Sequence, residues 1–177
     1  LLEQEIVSIK KDNLVVDKDG CIRPGTDKKS LEGLEPAFIE NGTVTAGTSS
    51  PLTDGSAAVL VCSEDYALKN NLSVIAKIKS IAVHGCAPET MGMGPVFATK
   101  KALDRAGLTI NEIDIVELNE AFAAQALAVI DEAEMDQSKI NIDGGAIALG
   151  HPLGATGARI TGKAAHLLKR ENKQFAL

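Results

Sequence analysis

From about residue 74 the chain alternates apolar runs with amphipathic stretches at a regular pace. Val74 to His84 is rich in Ile, Val and Ala and reads as a strand. Pro95 to Ala106 predicts a helix, with proline placed for its first turn and Gly107 just past its end. Ile113 to Leu118 predicts a buried strand. Asn119 suits the cap of a helix beginning at Glu120-Ala121-Phe122, and the alanine-rich run to about Ala133 is apolar on nearly every side, as a central helix would be. Ile140-Asn141-Ile142 predicts a short strand, a glycine-rich loop follows, Ala158 to Arg170 predicts an amphipathic helix, and Phe175 opens another apolar strand. This order is that of an α/β fold, in which a mostly parallel or mixed sheet carries helices on its faces.

Residues 1 to about 50 are polar and punctuated by turn chemistry: Lys-Asp-Asn, Asp-Lys-Asp-Gly, Arg-Pro-Gly-Thr, Glu-Asn-Gly. One weak amphipathic piece around Ser30 to Leu34 interrupts them, so this part reads as a covering segment with little core of its own. A small-residue loop, Ser49 to Gly55, follows. Ala57 to Cys62 then reads as a short apolar strand or a buried helix end.

With 177 residues, 45% apolar and 24% charged, the chain can bury one core or slightly more. A formal charge of −6 and a pI near 5.1 argue against a role on nucleic acid or on a membrane surface, either of which needs a basic patch. Aromatic content of 3% without Trp argues against base stacking. Cys21, Cys62 and Cys86 lack CxxC spacing, which removes zinc-ribbon and disulfide-framework readings and favours a reducing compartment. No apolar segment approaches the roughly 20 residues that span a bilayer. The opening residues carry no signal-peptide pattern and no Met, so the start is expected to be the middle of something.

The stretch richest in candidate chemistry runs from Asn141 to Arg159, where Gly144, Gly145, Gly150, Gly154 and Gly157 surround His151-Pro152. A histidine at a strand-to-helix passage stands where open α/β folds place ligands, with a glycine-rich structural turn as the alternative. The passage lacks the Gly-Lys-Ser/Thr ending of a P-loop and does not match GxGxxG. Asn119-Glu120 lies at a second strand end, so Asn119 is expected to work with His151, although capping alone would also explain it. His166 shares a helix face with Arg159, Lys163 and Arg170 and is expected to meet solvent. His84 and Cys86 share a strand face at a separation of about 6.5 to 7 Å, which does not assure a pair. Cys62 reads as core, and Cys21 as part of a polar turn with no base.

Taken together, Asn119-Glu120-Ala121-Phe122-Ala123-Ala124, Gly144 to Arg159, Gly42-Thr43-Val44-Thr45-Ala46-Gly47 and Met91-Gly92-Met93-Gly94-Pro95 resemble the thiolase family. The likeness runs through essentially the whole chain. It implies a layered α-β-α-β-α enzyme, of which residues 1–50 would be the tail of the CoA-covering loop region. Residues 51–73 would be the last strand and helix of the N-terminal domain, and residues 74–177 the C-terminal domain short of its last strands. The implied reaction is thiolysis of a 3-oxoacyl-CoA, or the reverse Claisen condensation, with CoA and acyl-CoA as substrates and no permanently bound cofactor or metal. By the same resemblance His151 activates a nucleophilic thiol, and with a water held by Asn119 stabilises an enolate oxygen. Ser50 lies along the pantetheine arm, Arg23, Ser30, Leu34 and Ala46 surround the CoA nucleotide, and Met91 and Phe122 border the acyl pocket.

The family's two catalytic cysteines have no match here, since Cys21, Cys62 and Cys86 stand outside its motifs. The expectation is therefore a C-terminal portion that is inactive alone, with an exposed apolar surface. Thr48 to Asp54 departs from the Asn-Ala-Ser-Gly pattern of biosynthetic acetoacetyl-CoA thiolases and leans toward 3-ketoacyl-CoA thiolases of fatty-acid β-oxidation. The resemblance further implies a homodimeric or homotetrameric parent, a possible β-oxidation multienzyme partner, and a cytoplasmic setting in a bacterial parent, with a mitochondrial or peroxisomal one as alternative. A non-catalytic CoA-binding or assembly module is the competing reading. A ketosynthase relative is disfavoured, because such proteins carry a histidine where this chain has Asn119.

Overall fold

The computed structural model describes residues 2–177. Its centre is a short parallel arrangement of three segments. Val116 donates its N–H to Lys139 O and its carbonyl accepts from Asn141 N, both at 2.9 Å, while Leu177 N donates to Ile115 O at 2.9 Å and Glu117 N to Leu177 O at 2.9 Å. The bridges are Val116 with Ile140 and Ile115 with Ala176, both parallel. The Ile113–Leu118 run therefore lies between its two neighbours, which is why a stretch so rich in Ile and Val is buried.

Helices cover both faces. Helix α1 spans Lys28–Glu32 and α2 Glu64–Lys69. Helix α3, Gly94–Ala106, ends at Gly107 with φ +66°, a left-handed cap that glycine adopts without penalty. Helix α4 spans Ala123–Glu132, α5 Ala146–Leu149 and α6 Leu153–Arg170. Val116, Ile113, Val129 and Met135 form a buried cluster, against which Val96, Leu103, Leu118, Ile130 and Ile140 pack from α3, α4 and the sheet. Ile115 and Glu117 are also buried, outside this cluster. Leu167 of α6 is buried as well, at 1% exposure.

Several sequence expectations change here. Val74 to His84 forms no strand among the described residues, because no neighbouring strand offers a ladder. Helix α3 takes up its polar groups instead: Arg105 Nη1 donates to Ile81 O at 2.5 Å, Lys101 Nζ to Val83 O at 3.3 Å, and Ser80 Oγ to Ala102 O at 2.7 Å. Val74, Ile75, Ile78, Ile81 and Val83 are exposed. Ala57 to Cys62 is likewise neither strand nor helix, and Cys62 is exposed rather than core. Together these residues make up an exposed apolar surface, as expected of a portion of the family's fold.

Two helix starts also move. Helix α4 begins at Ala123 with Phe122 at its N-cap, so Asn119 caps nothing. The backbone of residues 49 and 122 pairs as an antiparallel bridge, which holds Glu120 to Phe122 extended. Helix α6 begins at Leu153, five residues before Ala158, because Pro152 supplies a start that needs no N–H donor. His166 meets solvent as expected, but Lys163 on the same face does not. It is drawn to Asp143 at 2.6 Å and to Glu5 of the N-terminal segment.

That segment adds one element the sequence reading passed over. Strands β1, Ile9–Lys11, and β2, Leu14–Val16, form an antiparallel hairpin with Lys11 opposite Leu14. Asp12 turns it with φ +53°. No helix among the described residues is long and apolar enough to cross a membrane.

Candidate active site

Two strand ends and two loops converge on His151. The first strand runs out through Leu118 into Asn119-Glu120, and the second ends at Asn141, whose φ of +45° turns the chain back. Asn141 binds the neighbouring strand with its side chain: Oδ1 accepts from Leu118 N at 2.9 Å and Nδ2 donates to Leu118 O at 2.8 Å. The amide thus continues the ladder one step beyond the main chain. The same Nδ2 also donates to Glu120 Oε1 at 2.7 Å, while Glu120 Oε2 accepts from Ile147 N at 3.1 Å in α5.

Glu120 therefore ties the Asn119 strand end to the glycine loop. The tie requires Gly145, because a Cβ at that position would coincide with the Glu120 carboxyl group. Sequence reasoning missed Glu120 and Asn141 as a clamp. The available signal was a carboxylate next to Asn119 facing a Gly-Gly pair that leaves main chain accessible.

Gly150 sets the entry of the histidine loop with φ +99° and ψ 164°, a region essentially confined to glycine. Its α-carbon faces Thr53, whose Oγ1 and Cγ2 would lie 2.5 Å from a Cβ there, and Gly55 abuts Pro152 in the same way, at 2.8 Å from Cγ. The two small-residue loops seen in the sequence thus interlock. Ser50 sits where they join the Asn-Glu-Ala-Phe segment, with its N–H donating to Ala121 O at 3.0 Å and its hydroxyl to the same carbonyl at 3.2 Å.

Asn119 Nδ2 lies 3.2 Å from His151 Nε2. On the other side of the ring, His151 Nδ1 lies 2.7 Å from Thr156 Oγ1, and Thr156 Oγ1 lies 3.1 Å from Pro152 O. Asn119 Oδ1 and Glu117 Oε1 are buried without a hydrogen-bond partner. Burial pushes the Glu117 carboxyl up to about 7, against the opposing pull of Arg159 and Lys163.

Met91 and Phe122 both lie beside α4, Phe122 as its N-cap and Met91 in the turn docked on it. Gln125 Nε2 donates to Gly92 O at 3.0 Å and so docks the Pro88–Met93 turn on α4, leaving Met91 74% exposed. Phe122 meets Phe38 edge to face at 5.9 Å. Of the remaining expected contacts, Leu34 and Ala46 come together, since α1 and the residues after it lie on the Ala46–Thr48 turn: a Cβ on Gly47 would meet Leu34 Cδ1 at 2.6 Å. Ser30 is exposed, but its hydroxyl is occupied, donating to Asp27 O at 2.8 Å and accepting from Asp27 N at 3.0 Å. Arg23 is exposed in a turn, and its guanidinium makes no hydrogen bond among the described residues.

The cysteines do not join this group. Cys86 Sγ donates to Met91 O at 3.8 Å, and His84 stacks on Phe97 at 4.7 Å, so the two do not form a nucleophile pair. A cavity of about 990 Å³ does exist elsewhere, between the N-terminal segment and α6. Lys163, Arg170 and Glu5 on its walls already pair with one another or with Asp143, while Arg159 Nε on the same wall is buried without a partner; the site at His151 is the better candidate because it brings Asn119 and His151 into contact.

Residues 72–177 match the family model for the thiolase C-terminal domain, and residues 1–65 that for the thiolase N-terminal domain. A 3-ketoacyl-CoA thiolase of Marinomonas sp. (strain MWYL1) is 50% identical, over 98% of this chain and 46% of its own length. The crystal structure of human mitochondrial 3-ketoacyl-CoA thiolase in complex with CoA superposes with a TM-score of 0.87 at 44% identity, covering 96% of this chain and 43% of that one. The Bacillus anthracis acetyl-CoA acetyltransferase superposes with a TM-score of 0.90 at 41% identity, covering 97% and 44%. The chain thus spans less than half the length of these relatives.

Proposed function

The chain belongs to the thiolase family, and on that premise we propose that the crevice at His151 is one half of a site for carbon–carbon bond cleavage or formation on CoA thioesters. The reading rests above all on the 3.2 Å contact between Asn119 and His151, which joins the two most diagnostic motifs at one point. In the whole protein the reaction is thiolysis of a 3-oxoacyl-CoA to acetyl-CoA and a shortened acyl-CoA, or its reversal.

His151 Nε2 takes the proton of a nucleophilic thiol supplied from outside this chain, and the thiolate adds to the C3 carbonyl of the substrate. The C2–C3 bond then breaks, leaving the acyl group on sulfur and negative charge on the enolate oxygen of the departing acetyl-CoA. The protonated Nε2 and a water held by the Asn119 amide donate to that oxygen, an oxyanion-type stabilisation in a site shielded from bulk water. A second acid protonates the enolate carbon, and the thiol of CoA then takes the acyl group and frees the nucleophile. Ser50 guides the pantetheine arm, Leu34, Ala46, Ser30 and Arg23 lie along the nucleotide, and Met91 and Phe122 face the acyl chain. Residues 1–50, 51–73 and 74–177 correspond to covering region, end of the first domain and second domain.

Calorimetry with CoA on the 177-residue chain tests the binding half of this reading, with saturable heat expected and its absence contradicting it. Thiolysis of acetoacetyl-CoA by the same chain tests the chemical half: no turnover is expected, and steady turnover would show that the thiol lies within these residues. The departure of Thr48 to Asp54 from the biosynthetic pattern supports the degradative direction. A rate in the whole protein confined to acetoacetyl-CoA would refute that choice.

A further inference from the structure

We propose that Thr156 is the positioning residue that fixes the tautomer of His151, with the proton on Nδ1 and the lone pair on Nε2. The proposal deepens the reading of His151 as a base and rests on it for its functional meaning, while its geometric content stands apart from any turnover. Thr156 is buried, at 4% exposure, in the first turn of α6. Its hydroxyl lies 2.7 Å from His151 Nδ1 and 3.1 Å from Pro152 O.

A hydroxyl has one proton to give. The Pro152 carbonyl is an acceptor only, so the contact to it is made by the Thr156 proton, in the back-bonding pattern that threonine adopts within a helix. Toward the imidazole Thr156 Oγ1 then acts as acceptor, which places a proton on Nδ1. With the Asn119 amide oriented as it is, the far side of the ring agrees with the same tautomer. Asn119 Nδ2 is a donor, and at 3.2 Å from Nε2 it requires a lone pair there.

The opposite tautomer would set Nε2–H against the Asn119 amide N–H. It would also force Thr156 to leave Pro152 in order to donate to Nδ1. One buried hydroxyl therefore decides which ring nitrogen is basic, and it turns the basic one toward the crevice. In Thr156→Val the shape is kept and the acceptor is lost, so a proton on Nδ1 would be buried without a partner, at a cost comparable to other unsatisfied groups.

The test is a long-range proton–nitrogen correlation spectrum of the 177-residue chain labelled with nitrogen-15 histidine, recorded where the imidazoles are neutral, with His151→Gln identifying the His151 signals. The wild-type chain and Thr156→Ser are expected to show Nδ1 at the protonated shift and Nε2 at the unprotonated one. Thr156→Val is expected to lose that pattern, moving to the Nε2–H form or to an average of the two. A wild-type His151 in the Nε2–H form would overturn the proposal, as would a folded Thr156→Val chain that keeps the Nδ1–H pattern. Should Thr156→Val not fold, the wild-type and Thr156→Ser spectra decide on their own. The spectra require no CoA, so failure of the thiolase reading at the calorimetric step would leave their outcome readable.

Discussion

Asn119 and His151, 32 positions apart in sequence, face each other nitrogen to nitrogen at 3.2 Å. Such a contact holds only while Nε2 is unprotonated, because once the ring takes a proton both atoms are donors. On the proposed reaction the Asn119 amide is then released toward a water or an oxyanion, at the stage where charge develops. Asn119→Ala in the whole protein is expected to lower kcat by about 10² to 10³ with little change in KM, the usual loss for one oxyanion-site donor. A variant that retained wild-type kcat would remove Asn119 from the chemistry.

Gly150 is expected to tolerate no side chain. Alanine there combines a backbone conformation costing about 1–3 kcal/mol with a Cβ placed 2.5 Å from Thr53. Thr53→Gly in the same chain relieves the contact but not the backbone strain. Urea unfolding of Gly150→Ala and of the double variant should therefore show a partial recovery, and full recovery would mean that strain contributes nothing.

Stability should fall as pH rises toward neutrality because of Glu117. Its carboxyl is pushed from 4.5 to about 7 by burial, so between those values the folded chain holds a proton that the unfolded chain has released. That contribution is complete below about 4.5 and is lost through about 7. Glu117→Gln removes the dependence and should be more stable than wild type at alkaline pH by an amount of the order of 2 kcal/mol. Parallel pH–stability curves for the two chains would contradict the assignment.

Asp143 gives the opposite slope. Arg170 grips its carboxylate through Nη1 and Nη2 at 2.5 and 2.8 Å, and Lys163 approaches at 2.6 Å, so the carboxyl is held well below its ordinary range despite its burial. The stability it confers is present above the usual aspartate range and disappears as pH drops through the depressed value. Asp143→Asn leaves Lys163 and Arg170 facing each other without their shared anion and should cost about 2–4 kcal/mol near neutral pH. Thermal melts of the two chains should converge in strong acid.

Much of the second half of the fold was legible because its signals are local. Pro95, Gly107 and the apolar period between them mark α3, and the Ile113–Leu118 run is buried because its neighbours lie within the chain. Val74 to His84 carries the same β-rich composition, yet composition states only that a surface suits burial and not what covers it. The pairing of Asn119 with His151 followed from two strand ends sharing one crevice. Glu120, Asn141 and Thr156 did not follow, since each acts through a contact whose partner is set by loop geometry. A cap reading for Asn119 failed for a related reason, because the bridge between Ser49 and Phe122 holds the chain extended past the point where a helix could begin.

The interlocking of the Ser49–Gly55 loop with the strand end at Ala121 has a kinetic side. Ser50 meets Ala121 across 71 positions of chain, and Gly55 meets Pro152 across still more. Contacts so distant in sequence must repay loop-closure entropy before they stabilise anything. Helices α3 and α4 can collapse on each other early, whereas the crevice exists only once those long loops have closed. The contacts that tie the Ser49–Gly55 loop to Ala121 and Pro152 are thus among those that cost the most chain entropy to close.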